Sequence, residues 1–84
     1  MEVIFTKEAD KDMSKLDDKV RSFIRNSVKN KLLASPEDYL KALSWNLKWL
    51  YKFRVWDYRL ICDKRDNKLI IVIIRVKHRK DVYR

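Results

Sequence analysis

Residues 50–83 read LYKFRVWDYRLICDKRDNKLIIVIIRVKHRKDVY. Two segments with apolar residues at every second position meet at Trp56-Asp57, and a third, containing six consecutive apolar residues (69–74), follows a polar turn at 64–67. Alternation at period two marks a half-buried strand, and an unbroken apolar run marks a strand covered on both faces. The stretch therefore predicts an antiparallel meander over residues 50–55, 58–63 and 68–76, with the last strand inside the sheet. A two-residue hairpin at 56–57 sets Arg54 opposite Arg59 on one face, and Lys52, two residues from Arg54, shares that face. Like charges opposite one another destabilise a sheet, so this placement points to a face built to meet an anion. Tyr51, Phe53, Val55, Tyr58, Leu60 and Cys62 form the other face, which is expected to carry the helices.

Upstream, Glu2–Phe5 reads as a short strand with Val3 and Phe5 on one side. Thr6 is placed to cap a helix over 7–16, whose Ala9, Met13 and Leu16 stand at spacings of four and three. Asp17 or Asp18 caps a second helix running to about residue 33, with Val20, Phe23, Ile24, Val28, Leu32 and Leu33 on its buried side. Neither helix can bury its stripe alone. Both are expected as an antiparallel pair, joined by a tight turn, on one face of the sheet. Ser35-Pro36-Glu37-Asp38 signals another helix start, with proline at the first helical position. Leu40, Leu43, Leu47 and Leu50 continue at helical spacing, so periodicity alone carries that helix as far as the strand. The expectation is one α+β domain spanning residues 1–84, in the order β-α-α-β-β-β, with the two N-terminal helices packed on one face.

The 84 residues support one small core. The formal charge of +9 is unevenly spread: residues 1–47 hold nine Lys/Arg against eight Asp/Glu, and residues 48–84 hold twelve against four. Such asymmetry points to a polyanion, or to an acidic protein partner, on the C-terminal sheet. Cys62 is the single cysteine, which rules out an internal disulfide and argues against a zinc site; its strand position predicts a core residue. No apolar stretch approaches ~18 residues, and the N-terminus mixes acidic and basic residues unlike a signal peptide. A soluble cytoplasmic protein with no membrane partner is expected.

Glycine is absent, where ~7% is usual, which removes phosphate-cradling loops and dinucleotide fingerprints. His78 has no convincing Ser or Cys partner for a triad, and Asp57, Asp63, Asp66 and Asp81 are not grouped for glycoside hydrolysis. What remains is a set of cations and aromatics: Lys52, Arg54, Arg59, Lys77, His78, Arg79, Lys80 and Tyr83. Such a set can cleave RNA without metal or cofactor. The 2′-hydroxyl attacks the adjacent phosphorus and the 5′-oxygen leaves, which requires a base, stabilisation of the phosphorane and a donor to the leaving oxygen. Crowded positive charge favours a neutral amine, which suits Lys52 to the part of base. Arg54 and Arg59 hold phosphoryl oxygens in a fork. Arg79, just past the last strand, suits the donor. Tyr83 offers a ring for base stacking and a hydroxyl for orientation, and Lys77, His78 and Lys80 supply further RNA contacts.

The segments YKFRV-DYRLICD and LIIVIIRV-HRKDVY resemble the RelE group of the RelE/ParE toxins of bacterial and archaeal toxin–antitoxin pairs. The ordered set Lys52, Arg54, Tyr58-Arg59, Arg79 and Tyr83 carries the resemblance, which is densest over residues 43–83. It implies the same element order with the N-terminal strand in the sheet, and a turn at 44–49, so that the third helix or turn ends near Ser44. It implies a type II toxin that cuts messenger RNA in the ribosomal A site and is neutralised by a cognate antitoxin. By position, Lys52 corresponds to a base lysine, Arg54 to a second cation, Arg59 to the arginine after tyrosine, Arg79 to the proposed acid and Tyr83 to the terminal tyrosine. His78 is a competing acid or base, since some relatives use a histidine nearby. Two alternatives share the fold: a ParE-like, non-enzymatic DNA gyrase inhibitor, and a catalytically impaired variant that only binds nucleic acid or antitoxin. At Trp45, Trp49, Trp56 and Lys77 the family pattern usually has glycine. Trp56 falls where a tight hairpin needs positive φ, at a cost of roughly 1–2 kcal/mol. Replacing it with glycine is therefore expected to stabilise the domain.

Overall fold

The structure is a computed structural model and describes residues 2–43, 50–65 and 70–82. Strand β1 (Glu2–Phe5) leads into helix α1 (Lys7–Ser14), then α2 (Asp18–Ser27), which continues without a break into one π turn at Val28–Leu32. A single-turn helix α3 (Pro36–Tyr39) follows. The remaining elements are β2 (Lys41–Ala42), β3 (Leu50–Val55), β4 (Tyr58–Arg65), β5 (Ile70–His78) and the short helix α4 (Arg79–Val82).

The helix starts follow from their caps. The Thr6 hydroxyl accepts the Ala9 N–H, and the Asp17 carboxylate accepts the Val20 N–H, each satisfying a donor that has no partner within its helix. The sheet order is β1-β5-β4-β3-β2. It is antiparallel except for β1, which runs parallel to β5 at one edge. The last long strand is thus interior, which explains why both its parities are apolar.

One core lies between the helices and one sheet face. Ala9 and Met13 from α1 meet Ile24, Val28 and Leu32 from the second helix, and these pack on Phe53, Val55, Leu60, Cys62, Ile71, Ile73 and Val76. Val20, Phe23, Leu16, Tyr51 and Tyr58 are half-buried around them. Burial pushes the Cys62 thiol up to about 12, so it stays protonated as a core residue.

Two local features depart from the sequence expectation, and a third meets it. The helix opened by Pro36 ends at Tyr39 rather than near Ser44. Leu40 turns extended and Lys41-Ala42 join the sheet edge opposite Lys52 and Tyr51, so ladder hydrogen bonds displace a weak helical period. The turn expected at 44–49 lies outside the described residues. Strand β5 also carries a bulge: Ile61 faces Arg75 while Cys62 faces Ile73, so Ile74 has no counterpart on β4. Finally, Trp56 takes φ 53° and is the one residue with positive φ among those described, while Lys77 sits in regular strand. The hairpin thus bears the strain that its missing glycine predicts.

Candidate active site

The bulge decides which side chains share a face. Up to Ile73, the odd-numbered residues of β5 point to the helices: Ile71 and Ile73 are core. Without the extra residue, Arg75 and Lys77 would follow them inward. With it, Val76 enters the core opposite Leu60, and Lys77 is turned to the open face opposite Arg59. The same point is held from the β1 side. The Thr6 N–H donates to the Ile73 carbonyl at 3.0 Å, and the Thr6 hydroxyl donates to that of Ile74 at 2.7 Å.

The open face therefore carries a transverse row of cations, Arg54–Arg59–Lys77, each a direct register partner of the next. A second row begins with Lys41 opposite Lys52. Because cross-strand partners stand about 4.5–5.5 Å apart, like charge is concentrated here against its own repulsion. Lys41, Lys52, Arg54 and Arg59 line one cleft of about 290 Å³, together with Asp38, Tyr39 and Phe53. Arg54 is exposed and Lys52 half-buried, while Arg59 is only 8% exposed and sits at the bottom.

Arg75 is spent elsewhere. Its guanidinium turns over the open edge of β5 to the Asp12 carboxylate, donating at 2.8 and 3.0 Å, and the same carboxylate accepts the Val76 N–H at 2.9 Å. The Arg75 hydrogen bond, helped by that of Val76, holds the Asp12 carboxyl below the usual range despite the opposing effect of its burial. This tie fixes α1 to β5 and cancels one positive charge.

The other residues singled out in the sequence lie apart from the cleft. His78 is a register partner of Tyr58 and meets its ring edge-on at 5.1 Å, which puts it on the helix side of the sheet. Its Nδ1 accepts the Lys80 N–H at 3.2 Å. Arg79 and Lys80 are exposed in a separate hollow with Asp57 and His78. There the Arg79 N–H donates to the Asp57 carbonyl at 2.6 Å, and its guanidinium lies 3.9 Å from the Asp57 carboxylate. Tyr83 lies outside the described residues. The sequence reading missed Lys41 and Tyr39 as neighbours of Lys52. The Ser35-Pro36 helix signal was present, but a two-residue strand is too short to show a period.

The arrangement can neutralise and orient a phosphodiester: two arginines and two lysines line one cleft, and Lys77 is the register partner of one of them, Arg59. The family model described as "ParE toxin of type II toxin-antitoxin system, parDE" matches residues 3–83. Solved structures are similar over most of the chain. A chain of the toxin–antitoxin complex RelBE2 from Mycobacterium tuberculosis is 29% identical, aligned over 90% of this chain and 94% of its own, with a TM-score of 0.81. The isolated E. coli RelE toxin is 26% identical over 96% of this chain and 88% of its own, at 0.69. A chain of the intact E. coli RelBE toxin–antitoxin complex is 25% identical over 90% and 93%, at 0.70. No curated protein sequence gives a significant match. A family model spanning nearly the whole chain, together with the fold, establishes that this chain belongs to the ParE toxin family of type II toxin–antitoxin systems, and so to the RelE/ParE superfamily of toxins.

Proposed function

We propose that the protein is a metal-independent endoribonuclease that cuts messenger RNA in the ribosomal A site and is restrained by a cognate antitoxin. The observation that carries this is the shared cleft of Lys41, Lys52, Arg54 and Arg59. A surface that only bound protein would gain little from stacking like charges opposite one another on one face. Likeness to chains of RelBE complexes supports the antitoxin as partner.

In this mechanism Lys52 takes the proton of the 2′-hydroxyl as its oxygen bonds to phosphorus. Arg54 and Arg59 hold the equatorial oxygens as negative charge builds on them. The bond from phosphorus to the 5′-oxygen breaks, leaving a 2′,3′-cyclic phosphate and a 5′-hydroxyl. Arg79 donates to that leaving oxygen. It opens α4, two residues past Lys77, the register partner of Arg59. Its contact with Asp57 joins two exposed groups and is weak enough to be exchanged for a phosphate. Tyr83 stacks on a base, and Lys77 and Lys80 add RNA contacts, while His78, on the helix side of the sheet against Tyr58, is turned away from this path.

A second reading, inhibition of DNA gyrase without catalysis, is favoured by the match to the ParE model. One pair of assays separates them: cleavage of messenger RNA on programmed ribosomes with a metal chelator present, and gyrase supercoiling. Cleavage in chelator with intact supercoiling supports the nuclease. Blocked supercoiling with uncut message supports the gyrase inhibitor.

A further inference from the structure

We propose that Tyr39 is a base-stacking residue of the cationic cleft, its ring taking the face of a nucleobase of single-stranded RNA while Lys41 and Lys52 hold the neighbouring phosphate. The proposal rests on the RNA substrate inferred above and extends it to a position that the sequence motif does not contain. Tyr39 is 39% exposed and is one of the residues that line the cleft. It is also held in place. Its ring meets Phe53 at 6.0 Å and 86° between planes, and Phe53 is 1% exposed and immobilised in the core. Whichever ring presents its edge, such an edge-to-face pair leaves at least one face of the Tyr39 ring uncovered by Phe53. The backbone is fixed on both sides. Pro36 starts α3, the Leu40 N–H donates to the Pro36 carbonyl at 2.9 Å, and Lys41 then enters the sheet opposite Lys52.

An anchored aromatic face beside a cationic groove is how proteins take single-stranded nucleic acid: lysines and arginines track the phosphates and the ring accepts a base. Lys41 lies two residues from Tyr39, so one short segment brings both kinds of contact to the cleft wall. Stacking tolerates any base and gains with ring area, so Tyr39 favours base-bearing over abasic strands and purines over pyrimidines.

The test is binding of the full chain to two uncleavable 2′-O-methyl oligoribonucleotides of equal length, one carrying adenines and one abasic, followed by fluorescence anisotropy. Wild type should prefer the adenine strand. Tyr39→Ala and Tyr39→Leu should each lose about tenfold on the adenine strand and almost nothing on the abasic one, and Tyr39→Phe should bind as wild type. Leucine keeps apolar packing on Phe53, so a purely structural role predicts that Tyr39→Leu behaves as wild type, and that result overturns the proposal. Equal losses on both strands, or wild type that binds neither, overturn it as well. The outcome is separable from the nuclease reading: Tyr39-dependent base preference with uncut ribosomal message would leave this site standing and remove the catalysis, whereas cleavage of message without base preference would do the reverse.

Discussion

The indole of Trp56 lies flat on the ring of Phe23, with centroids 3.8 Å apart and planes 10° from parallel. The stack joins the β3–β4 hairpin tip to α2. It also explains how a tryptophan is tolerated at φ 53°. The left-handed conformation costs roughly 1–2 kcal/mol, and an aromatic pair returns about 0.5–1.5 kcal/mol beyond its area burial. The stack, with the area it buries, offsets the strain, although Trp56 remains 58% exposed. Trp56→Gly alone should therefore move the unfolding midpoint only slightly, in contrast to the plain stabilisation expected from the turn geometry. In a Phe23→Ala background the stack is already gone and only strain remains, so the same change should stabilise by about 1–2 kcal/mol. Equal effects in both backgrounds would show that the rings are not coupled.

Asp12 gives the fold an acid-sensitive tie. Its pKa in the folded protein lies below the unfolded value, because Arg75 and the Val76 N–H bind the carboxylate. The stabilisation is thus fully present above the unfolded value of about 3.9 and is lost as pH falls through the lower folded value. Asp12→Ala also leaves the buried Val76 N–H without its acceptor, costing about 1–3 kcal/mol near neutral pH. The gap in stability between wild type and variant, followed by urea unfolding, should be constant from pH 7 to 5 and shrink below about pH 4. A gap that persists into acid would place the effect in packing instead.

The bulge at Ile74 predicts a difference between neighbours. Lys77 shares the face of Arg54 and Arg59, whereas His78 is turned to the helix side against Tyr58. Lys77→Met should lower the salt dependence of single-stranded RNA binding by about 0.7 in the slope of log affinity against log salt, the share of one phosphate contact. His78→Gln should leave the slope unchanged. The opposite pattern in a salt titration would mean that RNA crosses the other side of β5.

Much of this was legible in the sequence, for identifiable reasons. A two-residue turn fixes hairpin register, so Arg54 opposite Arg59 followed directly from Trp56-Asp57. Thr6 and the pair Asp17-Asp18 marked the starts of their helices because capping is local, and of the pair it is Asp17 that caps. The bulge was hidden because residues 69–74 are apolar at both parities, so a slip of one residue leaves the pattern unchanged. Lys41 and Tyr39 were hidden because two residues show no periodicity. The Phe23–Trp56 stack and the burial of Arg59 depend on how separate elements pack, which local pattern does not encode.

The central claim is that the open-face cations perform the chemical step rather than merely dock RNA. It is tested most directly by single-turnover cleavage on saturating programmed ribosomes, comparing wild type with Lys52→Met. Methionine keeps the length and packing of the half-buried side chain, so the fold should persist. Loss of a positioned base should slow the saturated rate by about 10²–10⁴-fold, with ribosome affinity little changed because Lys41, Arg54 and Arg59 remain in the cleft. A variant that binds less tightly but cleaves at the wild-type rate once saturated would contradict the claim and leave Lys52 as a docking residue.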